Sequence, residues 1–223
     1  MQIFISLEGV VLDVSQRYYA IYSDLLRQSG FQPFDAATYW SFKRLSIKEA
    51  TIAERSSRPG FVEEYLLART GLLEEPAYLM LDSLQQGVPK QLQYWSSHHD
   101  VILTSRLGNY QTLVAQLELL GLADTVADVL PCRTGLPGWE AARARLEGNL
   151  DSQKAALLVT DNEADLLAAR ALMIPSVAVT GGRRSRTLLQ RTQPDYLTNS
   201  LEKIELVDRW ESSASSGCRV SPH

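Results

Sequence analysis

The chain has 223 residues, of which 45% are hydrophobic and 22% charged, and a formal net charge of −4 with a pI near 5.5. That acidic balance excludes the basic footprint expected of a partner for nucleic acid or an anionic membrane. Two cysteines, Cys132 and Cys218, are too few for a disulfide framework or a cysteine-built metal site, and no apolar run approaches the ~18 residues of a membrane span. The opening apolar run is too short for a signal peptide, and acidic residues follow it closely, so a cytoplasmic protein is expected.

The first element is MQIFISLEGVVLD, an apolar strand over Ile3–Ile5 that ends on Ser6, Leu7, Glu8 and Gly9. Residues two apart on a strand point to the same side, so Ser6 and Glu8 share one cleft, and Gly9 lets the backbone bend past it. Val14 to Ser29 carries Tyr18, Ile21, Tyr22, Leu25 and Leu26 on one helical face, closed by Gly30. Asp35 has the character of an N-cap for a helix reaching Leu45, and Ser46 with Glu49 has capping-box spacing for another. Pro59 to Arg69 forms a further helix. Tyr18, Tyr19, Tyr22, Tyr39, Trp40 and Phe42 are expected in the core of this strand-free helical region, with one or two facing the cleft.

From about residue 84 strands and helices alternate. Strands are expected at Val101–Leu103, Thr125–Leu130, Ala155–Val159 and Ser176–Val179; helices at Asn109–Leu120, Trp139–Leu146 and Glu163–Leu172. Short apolar strands separated by helices predict a Rossmann-like parallel sheet, an α/β fold with helices on both faces. The predicted division is a core of residues 1–13 and 84–210, a helical segment 14–83 inserted after the first strand, and a Ser-rich mobile tail, 211–223.

In such sheets ligands bind beyond the carboxyl ends of the strands. Those ends carry Ser6 and Glu8; Thr104, Ser105 and Arg106; Cys132, Arg133 and Thr134; Thr160, Asp161, Asn162 and Asp165; and Gly181 to Arg184. Carboxylates suit Mg²⁺, while hydroxyls and a cation suit phosphate oxygens. Each residue also has a plainer reading. Asp161 and Asp165 fit an N-terminal acidic turn, Arg133 fits a surface cation, Ser6 and Glu8 fit a solvated strand end, and Gly181 to Arg184 fits either an anion-binding turn or a solvated loop. His98 and His99 precede a strand at its amino end, away from the cleft.

Four segments, in this order and with the helical insert, resemble the haloacid dehalogenase (HAD) superfamily, and within it the phosphoglycolate-phosphatase type, over about residues 1–210. SLEGVVLD is similar to the first motif, Asp-x-Asp-Gly-(Thr/Val)-(Val/Leu)-x-Asp; VILTSR to the second; VTDNEADLLAAR to the fourth; IPSVAVTGG to the strand after it. The resemblance implies a HAD-like core with a small all-helical cap, and a two-step phosphoryl transfer through an aspartyl-phosphate. It puts Ser6 at the nucleophile position, Glu8 at the acid/base position, and Thr104, Ser105 and Arg133 at the phosphate. Asp161, Asp165 and the Glu8 backbone carbonyl fall at a Mg²⁺ site.

The nucleophile position therefore holds Ser6 where the family has Asp. A carboxylate is ionised and nucleophilic at neutral pH, whereas a serine hydroxyl needs a base. One carboxylate ligand of the cation is also lost, which weakens the Mg²⁺ site. The sequence reading is thus a catalytically degraded phosphatase-fold protein. It keeps a cleft for a small phosphorylated or anionic ligand, or contacts a protein partner through its cap. The alternative is a slow Mg²⁺-dependent hydrolase of a small phosphate ester.

Overall fold

The computed structural model describes residues 1–132 and 138–206. Expectations for Arg133, Thr134 and the tail 211–223 lie outside the described residues.

The chain opens with β1 (Gln2–Ser6) and β2 (Leu12–Asp13), then runs through α1 (Ser15–Gln28), α2 (Ala36–Arg44), α3 (Glu49–Ser56), α4 (Phe61–Leu72) and α5 (Pro76–Leu79). It returns through β3 (Ser83–Leu84), α6 (Val88–Ser96), β4 (Asp100–Thr104), α7 (Tyr110–Leu119), β5 (Asp128–Leu130) and α8 (Gly138–Glu147). It continues through β6 (Ala156–Thr160), α9 (Glu163–Ala171), β7 (Ser176–Val179), α10 (Arg186–Arg191) and β8 (Tyr196–Thr198).

Six strands form one parallel sheet in the order β5-β4-β1-β6-β7-β8. β1 is central, and the chain crosses from one side of it to the other, which opens the crevice where α/β sheets bind ligands. Register puts Ser6 beside Thr104, so two strand-end hydroxyls lie side by side. β2 and β3 pair antiparallel, Leu12 with Leu84 and Asp13 with Ser83. This two-stranded neck is where the chain leaves for the five helices and comes back.

Alternation along β1 divides the core. Ile3 and Ile5 pack with Leu103, Val159, Val177, Trp95 and the tyrosines of the helical insert. Phe4 points to the other face, against Ala142 and Leu146 of α8 and Ala168 and Ala169 of α9. Small alanines let α8 and α9 approach the sheet closely, as a buried parallel sheet requires. Tyr22 and Tyr39 stack at 4.5 Å within the insert, and Tyr65 meets Tyr22 edge-on.

Local signals explain several boundaries. Asp35 caps α2 by accepting from the Thr38 N–H at 2.9 Å, and Asn109 caps α7 by accepting from Thr112 at 3.1 Å. Gly30, at φ 78°, follows α1. Other boundaries differ from the sequence reading. Ser46 does not start α3: its φ of 62° ends the turn after α2, and Lys48 stands before the first residue of α3. β5 is only three residues long: of the expected strand Thr125–Leu130, Thr125 closes a tight turn with Ala123 and Asp124, and pairing with β4 begins at Asp128. Among the described residues no helix is long and apolar enough to cross a membrane.

Candidate functional site

β1 ends at Ser6, and the chain then makes a wide turn over Leu7–Val11. Inside it Glu8 is extended and Gly9 has φ 91°, a conformation that favours glycine. Space demands glycine as well, since a methyl on Gly9 would overlap Asp161 Oδ2. The opening of the sequence is thus shaped around the carboxylate that follows β6.

Ser6, Glu8, Thr104, Ser105, Asp161 and Asp165 are all buried and gather at the strand ends, where all but Thr104, whose Oγ1 has no hydrogen-bond partner, divide into three groups. Ser6 Oγ lies 2.7 Å from Thr160 Oγ1 and 3.4 Å from Asp165 Oδ2. Glu8 turns toward β4, where it accepts from Ser105 Oγ at 2.7 Å and from the Arg106 N–H at 3.1 Å. Asp161, fully buried, is held by Arg183. Its Oδ2 accepts from the Arg183 N–H at 2.5 Å and Nε at 3.1 Å, and its Oδ1 accepts from Nη2 at 2.6 Å.

The Asp161–Arg183 arrangement is a fork-to-carboxylate pair, the strongest geometry available to two such groups. Burial alone would lower the Arg183 guanidinium, but Asp161 overrides it and raises its affinity for the proton. Arg183 lies close to Tyr18. Burial favours the neutral phenol there, yet Arg183, Arg17 and Arg106 together bring the Tyr18 hydroxyl below its ordinary range.

Asp165 has a different partner. Arg145 of α8 donates Nη2 to its Oδ1 at 3.1 Å and Nη1 to the Ser105 carbonyl at 2.7 Å. Asn162 Nδ2 and Thr160 Oγ1 donate to Asp165 Oδ2 at 2.9 and 3.1 Å. The two acids expected to share a cation are therefore engaged by two separate arginines. No group of three or more His, Cys, Asp or Glu suited to a metal occurs among the described residues. A hydrated Mg²⁺ needs near-octahedral oxygen ligands and keeps several waters. Asp161 has both oxygens occupied and is enclosed by Gly9 and Gly182, where an added methyl would collide with it. The residues as arranged do not fit that cation.

Above the strand ends a cleft of about 370 Å³ opens between the insert and the sheet, lined by Tyr18, Lys43, Arg69, Arg106, Arg145 and Asp165. The insert supplies Lys43 and Arg69, both fixed by Glu49. Arg145 was missed, although it carried a signal: it falls on the buried face of α8 with Ala141, Ala142 and Leu146, and an arginine buried there demands a partner. Lys43 and Arg69 carried no signal, because only the folded insert turns them toward the sheet.

Comparisons agree with this architecture. Residues 137–204 match a family model described as HAD-hydrolase-like. A haloacid dehalogenase-like hydrolase from Streptococcus pneumoniae is similar over 90% of this chain and 94% of its own, with TM-score 0.75 and 18% identity. A predicted phosphatase from Clostridium acetobutylicum aligns over 91% and 94%, with TM-score 0.72 and 16% identity. A predicted phosphoglycolate phosphatase from Haemophilus somnus aligns over 90% and 94%, with TM-score 0.70 and 12% identity. Comparison with curated protein sequences finds no match.

Proposed function

On this haloacid dehalogenase-like fold, we propose that the protein is a catalytically degraded phosphatase-fold protein that binds a small phosphorylated or anionic ligand in the strand-end cleft without hydrolysing it. The observation that carries the reading is Ser6 at the end of the central strand, bonded to Thr160 and Asp165. A serine there needs a general base. The acid nearest in sequence, Glu8, is turned to Ser105 and the Arg106 N–H, and Asp165 is ion-paired with Arg145. With Glu8 turned away and Asp165 ion-paired, the hydroxyl lacks a dedicated general base and is a poor nucleophile. Loss of a covalent nucleophile costs several orders of magnitude in rate. The cations of the cleft support the retained half of the proposal, since guanidinium and ammonium groups suit phosphate oxygens.

The test is hydrolysis of p-nitrophenyl phosphate with and without Mg²⁺, comparing the wild type with Asp161→Ala. Equal, background-level release from both is expected under both conditions. Mg²⁺-dependent turnover lost in Asp161→Ala would overturn the proposal in favour of a slow phosphatase.

A further inference from the structure

The Asp161–Arg183 pair occupies the acid that the fold's phosphatases are expected to give to a divalent cation, and the surroundings of Arg183 extend the argument. Its side chain is almost completely buried, yet Nη1 has no hydrogen-bond partner. Two more buried polar atoms at the same strand ends lack partners, Arg145 Nε and Thr104 Oγ1. Leaving such a group unsatisfied in a core costs about 1–3 kcal/mol, more when it is charged. Arg145 and Tyr18 line the cleft, and Arg183 lies close to Tyr18; unpaired donors at this end of the sheet are what an anion reaching them would satisfy. All belong to residues already held in place: Arg183 by Asp161, Arg145 by Asp165 and the Ser105 carbonyl, and Thr104 by the β1–β4 register.

We propose, building on the reading of a retained anion cleft, that the Arg183 guanidinium is a built-in cation standing in for the divalent metal, so that the cleft takes a phosphate group without any metal ion. Asp161 fixes the guanidinium from behind through Nε and Nη2, which leaves Nη1 for an oxyanion. Thr104 Oγ1 and Arg145 Nε supply neutral and charged donors to the same group. Arg106, exposed beside the crevice, and Lys43 and Arg69 of the insert complete the positive field. No bond is made or broken, so the ligand leaves as it entered.

The experiment is isothermal titration of inorganic phosphate into the full chain, once with EDTA and once with excess Mg²⁺. The wild type binds equally in both, within about twofold. Arg183→Ala loses about tenfold or more of that affinity in EDTA, and Mg²⁺ restores part of it because Asp161 becomes available. Arg183→Lys keeps a cation beside Asp161 and retains most of the binding, which separates charge from loss of fold. Phosphate binding that requires Mg²⁺ in the wild type overturns the inference. So does an Arg183→Ala variant, folded by its melting curve, that binds like the wild type, and so does absence of binding in both buffers. The two proposals fail separately: turnover of the aryl phosphate overturns the degraded-enzyme reading and leaves a metal-free affinity standing. A Mg²⁺ requirement for binding overturns the built-in cation and leaves the absence of hydrolysis standing.

Discussion

Glu49, largely buried, and Asp82, buried, are carboxylates facing arginine, and burial pushes them in the same direction, yet they end on opposite sides of the ordinary carboxylate value. Glu49, inside the helical insert, opposes that push with Lys43 and Arg69, and accepts from Tyr65 at 2.6 Å and Tyr39 at 3.0 Å; its pKa is lowered. Asp82 lies at the junction of insert and sheet, with Arg17 at 3.1 Å and Gln116 at 2.8 Å. Burial wins there, and its pKa is raised to about 6. One arginine and one amide do not replace the water that a buried carboxylate loses, whereas two cations and two phenols do. The insert is thus fastened internally by an ionised hub, and its junction rests on an acid poised to take up a proton.

The comparison breaks most visibly at Glu49. Glu49→Ala leaves Lys43 and Arg69, both largely buried, without their shared counter-ion, at a cost of about 3 kcal/mol. For a chain of this length that lowers the melting temperature by roughly 10 °C. A melt within a degree or two of the wild type would mean that the hub does not hold the insert.

Asp82 tests the other side. Its folded pKa lies above the unfolded value, so its contribution favours the folded state at low pH and is lost as pH rises from about 4 through 6. A rise of about two units corresponds to about 3 kcal/mol at the most. Urea unfolding of wild type and Asp82→Asn between pH 4 and 7 should therefore give a stability difference that shifts against the wild type as pH rises, whatever the variant's offset. A difference constant across that range would remove Asp82 from the titration. The smallest effect is expected of Tyr65→Phe, which takes one donor from Glu49 and leaves its cations. It costs about 1 kcal/mol, measurable as a lower urea midpoint with unchanged slope.

Continuous apolar runs made β4, β6 and β7 legible, and side-chain caps such as Asn109 marked where helices begin. β8 escaped, since three residues show no alternation. α6, with Val88, Leu92 and Trp95 buried on one face, carried a helical period that passed unread. At the site, the strand-end residues were found because position along a parallel sheet dictates them. Their partners were not, because Arg145 and Arg183 reach acids 20 and 22 residues away only once α8, α9 and the loop after β7 are packed. Ser6 was visible as a departure from a pattern, but its bond to Thr160, 154 residues on, follows from β1 and β6 being neighbours.

The loop carrying Arg183 is also laced to the insert. Arg44 donates to the carbonyls of Gly182 at 2.7 Å and Thr180 at 3.0 Å, while Arg184 donates to the Lys43 carbonyl and the Ser185 N–H to that of Arg44. Swinging α2 away from the sheet breaks these four bonds together, at about 1 kcal/mol each, and takes Lys43 out of the cleft in the same movement. The position of α2, and with it Lys43, is thereby coupled to the loop that carries Arg183.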